Sequence, residues 1–255
     1  AEDLADHGFK VSVVNPFLIK RYAESIGVRS KTDRVDARVI AQFCSERSPE
    51  PWEPLSPSAR QLRALVLRRR SLVDLRTQEE NRLATVVAEQ VQRSIRHVIG
   101  HLNEEIKDIE RQISDHIEGD PTLRQQRELL DSIPGFGPVT TSAMLCQFGG
   151  KLRFTKSSQA VAYAGLDVRR HESGSSVKAN PGISRKGHSW FRGTLYMPAI
   201  AVATHSAWGK AFSERLKAAG KPSKLILTAL MRKMVALGYA VLRSGKPFDP
   251  AMHAA

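Results

Sequence analysis

Apolar positions along this chain of 255 residues change their spacing several times, and each spacing predicts a different element. Residues 2–7 read as the end of a helix stopped at Gly8. Phe9-Lys10-Val11-Ser12-Val13-Val14 then reads as a buried strand closed by Asn15-Pro16. The chain opens inside an element, so a preceding segment with the first strands of an α/β sheet is expected. Val35, Val39, Ile40 and Phe43 return at helical spacing, and Ser30 with Asp33 supplies an S-x-x-D start signal. Pro49-Glu50-Pro51-Trp52-Glu53-Pro54 reads as a hinge. From Ser58 to Asp120 there is no proline, and the glycines are Gly100 and Gly119. Within that stretch Ile95, Ile99, Leu102, Ile106, Ile109, Ile113 and Ile117 recur by fours and threes with charges on the other faces, a coiled-coil-like seam. Leu62, Leu65, Leu72, Leu75, Leu83 and Val86 form an earlier helix that pairs with it. A helical hairpin follows, either closed on itself or dimerising with a second copy.

Beyond residue 120 the punctuation is glycine and proline. Leu129-Leu130-Asp131-Ser132-Ile133-Pro134-Gly135-Phe136-Gly137-Pro138 leads into Val139-Thr140-Thr141-Ser142-Ala143. Helix, Pro-Gly-apolar-Gly turn and helix make a helix-hairpin-helix-like element, in which amides around Gly135 and Gly137 can hold a phosphate. An ordinary tight connection with glycines at positive φ gives the same pattern. Small-residue-rich helices are predicted over 190–206 and 223–243. Trp190, Phe191, Tyr196 and Trp208 read as packing aromatics, and His188 and His205 need no catalytic role.

Charge sharpens the picture. The formal net charge is +13. Residues 58–119 are nearly balanced, with 11 basic and 10 acidic side chains, whereas residues 151–246 hold 18 basic ones against Asp167, Glu172 and Glu214. That region repels itself unless it meets a polyanion, and nucleic acid is the natural partner. Hydrophobic content of 41% excludes a disordered polyelectrolyte. There is no apolar run of membrane-spanning length and no signal segment, so a cytoplasmic protein without a membrane partner is expected. Cys44 and Cys146 lack metal-site spacing and read as buried thiols.

Two constellations carry candidate chemistry. Asp33 and Asp36, three apart, project from one face of the first helical turns, and two hard carboxylates so placed suit Mg²⁺. Acidic first turns also serve the helix dipole, and that reading stays open. The second is the loop His171-Glu172-Ser173-Gly174-Ser175-Ser176. It lies between Arg169-Arg170 and Lys178, Arg185 and Lys186, a place for a hydroxyl nucleophile aimed at a phosphate. A hydroxyl needs a base, a metal or a strong positive field to attack. Those five cations supply the field, and Glu172 or His171 can handle protons.

Several motifs agree in order with one known group. Lys31-Thr32-Asp33-x-x-Asp36-Ala37, Ile133-Pro134-Gly135-Phe136-Gly137, Ala162-Tyr163-Ala164-Gly165-Leu166, Glu172-Ser173-Gly174 and Ile183-Ser184-Arg185-Lys186-Gly187-His188 resemble the DEDD-type insertion-sequence transposases. These are bridge-RNA-guided recombinases related to the Piv invertase, and the likeness covers nearly all the chain. It implies an incomplete α/β RuvC-like (RNase H-like) domain over 1–55, a helical coiled-coil linker over 56–120, and a mainly α transposase domain over 121–255 with the helix-hairpin-helix-like element. It also implies Ser173 as nucleophile through a serine-phosphate intermediate. Asp33 and Asp36 become the last two members of an acidic metal tetrad that binds Mg²⁺. Implied partners are DNA, a structured guide RNA, and further copies of the chain joined through the coiled coil as a dimer or larger homo-oligomer. The first two tetrad members would precede residue 1, so the resemblance implies a truncated copy that binds Mg²⁺ weakly and is inactive alone. Two other classes remain open: a metal-dependent junction resolvase using water, and a non-catalytic nucleic-acid-binding protein.

Overall fold

The computed structural model describes the chain apart from residues 31, 151, 169–171, 174–176, 179–181, 254 and 255. For Glu172, Ser173, Val177, Lys178, Met252 and His253 it describes the backbone only. The chain divides into two compact units, Ala1–Ser56 and Pro57–Ala255.

The first unit is helical. It contains α1 (Glu2–Asp6), α2 (Pro16–Ser25) and α3 (Asp33–Arg47). Asn15 caps α2 by accepting from the Phe17 amide at 2.9 Å, and Pro16 suits the first turn because its missing N–H would be unpaired there. Tyr22, Val39 and Phe43 form its buried core, with the Tyr22 and Phe43 rings edge to face at 5.3 Å.

The α/β expectation fails here. Residues 9–15 take no regular structure and form no ladder, and among the described residues no second strand lies beside them to take their amides. Phe9 and Val13, meant for a buried face, are 65% and 59% exposed. A lone apolar run cannot be a sheet, because a strand's backbone groups are satisfied only by a neighbour. Ser12 Oγ donating to Pro49 O (2.9 Å) and the Trp52 amide donating to Val11 O (2.7 Å) tie the segment to the proline-rich stretch instead. The RuvC-like domain is thus not seen, and the described chain is mainly α. The start of α3 also differs: Thr32, not Ser30, is its cap, accepting from the Val35 amide at 3.3 Å.

The second unit opens with the long helices α4 (Pro57–Leu83) and α5 (Glu89–Gly119), packed antiparallel. Ser58 Oγ donates to Asp120 Oδ2 at 2.6 Å, and His116 Nε2 lies 2.9 Å from Ser58 O, so the two far ends are latched together. Asp120 also caps α6 (Pro121–Asp131), accepting from the Thr122 and Leu123 amides. The hydrogen bond from Ser58 leads the interactions that hold this carboxyl below the usual range. Leu62, Val66, Ile113 and Ile117 join the main core, so the base of the hairpin is fused to the helices that follow.

Those are α7 (Pro138–Phe148), α8 (Ser157–Tyr163), α9 (Ser189–His205), α10 (Ala207–Ala218), α11 (Ser223–Ser244) and α12 (Pro250–His253), with the strands β1 (Glu172–Ser173) and β2 (Val177–Lys178) between α8 and α9. Apart from Pro138, Val139 and Gln147, α7 is buried. By length and composition α11 could cross a bilayer, yet Leu230, Met234, Val235, Tyr239 and Val241 are fully enclosed in this core. The Tyr239 hydroxyl accepts from the Phe154 amide (2.9 Å) and donates to Phe154 O (2.7 Å), which explains how a buried phenol is satisfied.

Candidate active site and nucleic-acid interface

The loop that carries Ser173 rises from a base zipped backbone to backbone. The Ser184 amide donates to Asp167 O at 2.9 Å and the Arg185 amide to Gly165 O at 3.1 Å, while Val168 and Ile183 form an antiparallel bridge. The Ser184 hydroxyl donates to Asp167 Oδ1. Two glycines permit this closeness. A Cβ on Gly187 would sit 2.1 Å from Tyr163 O and 2.6 Å from the Gly165 nitrogen, and Gly165 itself has φ +69°. Arg192 Nη1 bridges the two legs by donating to Ala164 O (3.1 Å) and Gly187 O (2.8 Å). Above this base β1 and β2 pair antiparallel, Glu172 opposite Lys178 and Ser173 opposite Val177. Ser173 therefore closes β1. Arg169 and Arg170, like His171, Ser175 and Ser176, lie outside the described residues.

The field at the base is positive. Arg185 is exposed and sits at φ +56°, a conformation that costs a non-glycine residue about 1–2 kcal/mol and that neighbours must hold. Lys186 is exposed beside it. Burial, followed by the Arg185 charge, lowers the affinity of the Arg192 guanidinium for its proton. His188, whose ring meets Tyr163 edge to face at 5.8 Å, is held below its ordinary pKa by burial and then by the charges of Arg63 and Arg192. Arg63 belongs to α4. The hairpin thus brings a cation to the loop base across more than a hundred residues of sequence, and no motif announces it.

The glycine turn between α6 and α7 serves packing first. Gly135 has φ +94°, and a Cβ there would lie 2.4 Å from Val202 Cγ2 of α9. Phe136 is buried, and Trp208 Nε1 donates to Pro134 O at 3.1 Å. Gly137 is the N-cap of α7 with open space about its α-carbon. Asp131, bonded to Thr141 Oγ1 (2.8 Å) and Arg127, flanks the turn.

Asp33 and Asp36 stand in the first turn of α3, in the other unit. Asp33 is exposed and Asp36 half-buried. Among the described residues no group of three or more His, Cys, Asp or Glu side chains could hold a metal. Two unburied carboxylates on one helical face fit a largely hydrated Mg²⁺, which keeps most of its waters. Cys146 is buried, and desolvation pushes its thiol up to about 12, so it is an inert packing residue. Cys44 is exposed rather than buried.

A basic, backbone-zipped serine loop and an acidic helix start thus stand in one chain, and the comparisons show its family. A family model described as Transposase IS116/IS110/IS902 family matches residues 127–214, and a transposase model of the DEDD IS110 type matches residues 2–91. The pilin gene-inverting protein of Moraxella bovis is 36% identical over 253 residues, covering 97% of this chain and 77% of that protein. Its counterpart from Moraxella lacunata is equally similar. The transposase of insertion sequence IS1111A from Coxiella burnetii is 25% identical over 244 residues, covering 82% and 66%. This chain belongs to the IS110/IS116 family of transposases, and its class is that of a DNA transposase or recombinase.

Proposed function

We propose that this protein cuts and rejoins DNA through Ser173. The Ser173 hydroxyl attacks a backbone phosphorus, its Oγ–P bond forms as one P–O bond of the strand breaks, and the displaced strand oxygen takes a proton from solvent and leaves as a hydroxyl. The serine proton passes to Glu172, His171 or solvent. Attack by the hydroxyl of an incoming strand on the phosphoserine restores the diester and frees the serine. Arg63, Arg185, Lys186 and Arg192, with Arg169, Arg170 and Lys178, offset charge on the five-coordinate phosphorus. The observation that carries this reading is the base of the loop, a glycine-enabled, doubly bridged platform ringed by cations.

Asp33 and Asp36 would hold Mg²⁺, which when bound supplies Lewis-acid stabilisation of phosphate oxygens. A second copy of the chain would complete the assembly. Val87, 92% exposed at the hairpin tip, with exposed Val91 and Val98, gives such a copy an apolar surface. Gly135 and Gly137 would place amides against the backbone without reading sequence. A structured RNA from the element would select the DNA by base pairing.

The test is strand exchange by the native polypeptide with Mg²⁺, flanking-region RNA and element-end DNA, comparing Ser173→Ala with Ser175→Ala and Ser176→Ala. The proposal requires exchange to fall at least ~10³-fold in Ser173→Ala alone. Retained exchange in that variant refutes it, and points to water as the nucleophile.

A further inference from the structure

The α10–α11 connection carries a second set of cations that the serine loop does not use. Residues 206–233 hold seven basic side chains against Glu214 alone. Lys210, Arg215, Lys217, Lys221, Lys224 and Arg232 are all exposed, and among the described residues none of them forms an ion pair. Helix energetics explain only part of this. Arg215 and Lys217 stand in the last turn of α10, where cations are favoured, but Lys224 stands in the first turn of α11, where the helix dipole opposes it.

The scaffold beneath is ordered. The Gly220 amide donates to Lys217 O at 2.9 Å and the Lys221 amide to Leu216 O at 3.1 Å, a closure that fixes Lys221 between the two helices. The Phe212 ring lies under Arg215 (5.4 Å) and Lys233 (5.0 Å). Ile226 and Leu230 anchor α11 in the core.

What this surface lacks defines its ligand. Residues 206–233 contain no Asn or Gln to read an adenine edge. Their aromatics, Trp208 and Phe212, are half-buried, and Trp208 is committed to Pro134 O, so no stacking platform for single strands is offered. Phosphates remain. We propose that the α10–α11 turn is a separate, sequence-independent docking surface for the backbone of duplex DNA flanking the exchange site. It rests on the reading that the protein acts on DNA, and is independent of Ser173.

The experiment is binding of the full chain to a short random-sequence DNA duplex across a salt series, comparing wild type, Lys217→Gln/Lys221→Gln/Lys224→Gln, the corresponding triple Arg variant, and Ser173→Ala. The Gln triple should bind about 10-fold more weakly near physiological salt. Its salt dependence on logarithmic axes should be shallower by about 2.7, three lost phosphate contacts at about 0.9 each. The Arg triple should bind as wild type does. Unchanged affinity and slope in the Gln triple overturn the proposal, as does a loss seen with duplex RNA but not with DNA. Ser173→Ala should keep the wild-type affinity and slope, so failure of the serine chemistry shows only in exchange assays and failure of this surface only in the lysine variants.

Discussion

The long hairpin and the C-terminal helices are both rich in cations, and they use them in opposite ways. Along α4 and α5, Arg69 meets Glu110 at 2.6 Å, Arg70 meets Asp74, Arg76 meets Glu80 and Arg82 meets Glu79. Each pair adds little stability, because exposed ion pairs are worth about 0–1 kcal/mol. Their effect is to offset much of the field along the strut, whose 11 basic side chains stand against 10 acidic ones. Arg63, at the base of α4, forms no ion pair among the described residues, and its charge acts on His188. In α9–α11 and the loop before them acids are nearly absent, so the same residue types generate an uncompensated positive potential. Pairing, not the number of arginines, separates structural charge from binding charge.

Four changes break or sharpen that contrast, in descending order of effect. Gly187→Ala drives a methyl into the backbone of Tyr163 and Gly165, and should cost roughly 3 kcal/mol in urea denaturation along with strand exchange. A loss under 1 kcal/mol would show that the loop base is not close-packed. Arg63→Gln should weaken DNA binding about 3–10-fold at low salt while leaving the fold intact. The matched change Arg69→Gln should leave DNA affinity untouched and shift stability by less than ~1 kcal/mol. If both arginines affect binding equally, the distinction between strut and binding face is lost.

The smallest effect is in pH dependence. His188 is held below its ordinary pKa of 6.5 by burial, then by Arg63 and Arg192. As pH falls through about 6.5 the unfolded chain takes this proton before the folded one does. The stability from a neutral His188 is therefore complete above that pH and is lost below it. Chemical denaturation of His188→Gln should show a shallower fall in stability between about pH 7 and 5 than the wild type. An unchanged slope would place His188 outside the electropositive base.

Periodicity made the helices of the second unit readable. The isoleucine seam predicted α5, and Leu62, Leu72, Ile106 and Ile113 are buried as their spacing requires. The same reasoning misjudged Phe9–Val14, because alternation and branching report only that a segment could be a strand. Whether it becomes one depends on a partner that local sequence does not contain. Within residues 207–218 Trp208, Phe212 and Leu216 recur at helical spacing, a stripe too short to stand out, and Ser206 caps α10 by accepting from the Gly209 amide at 3.1 Å, a signal visible only once the break after α9 is known. At the candidate site Arg185, Lys186, Gly135 and Gly137 could be named from motifs. Arg63 and Arg192 could not, and His188 was visible only as a motif residue, since what unites the three is the packing of the hairpin base and α9 beside the loop. Gly165 and Gly187 were visible as motif residues, but their mutual contact was not.

In the proposed reaction the loop zipped by Gly165, Gly187 and Arg192 presents Ser173 to a phosphate. The most direct test is mass-spectrometric mapping of a denaturant-resistant protein–DNA adduct, formed on a nicked element-end duplex by the native polypeptide with Mg²⁺ and flanking-region RNA. The expected result is a nucleotide mass on the peptide containing Ser173, absent in Ser173→Ala. An adduct on any other residue, or completed strand exchange with no adduct at all, would contradict it.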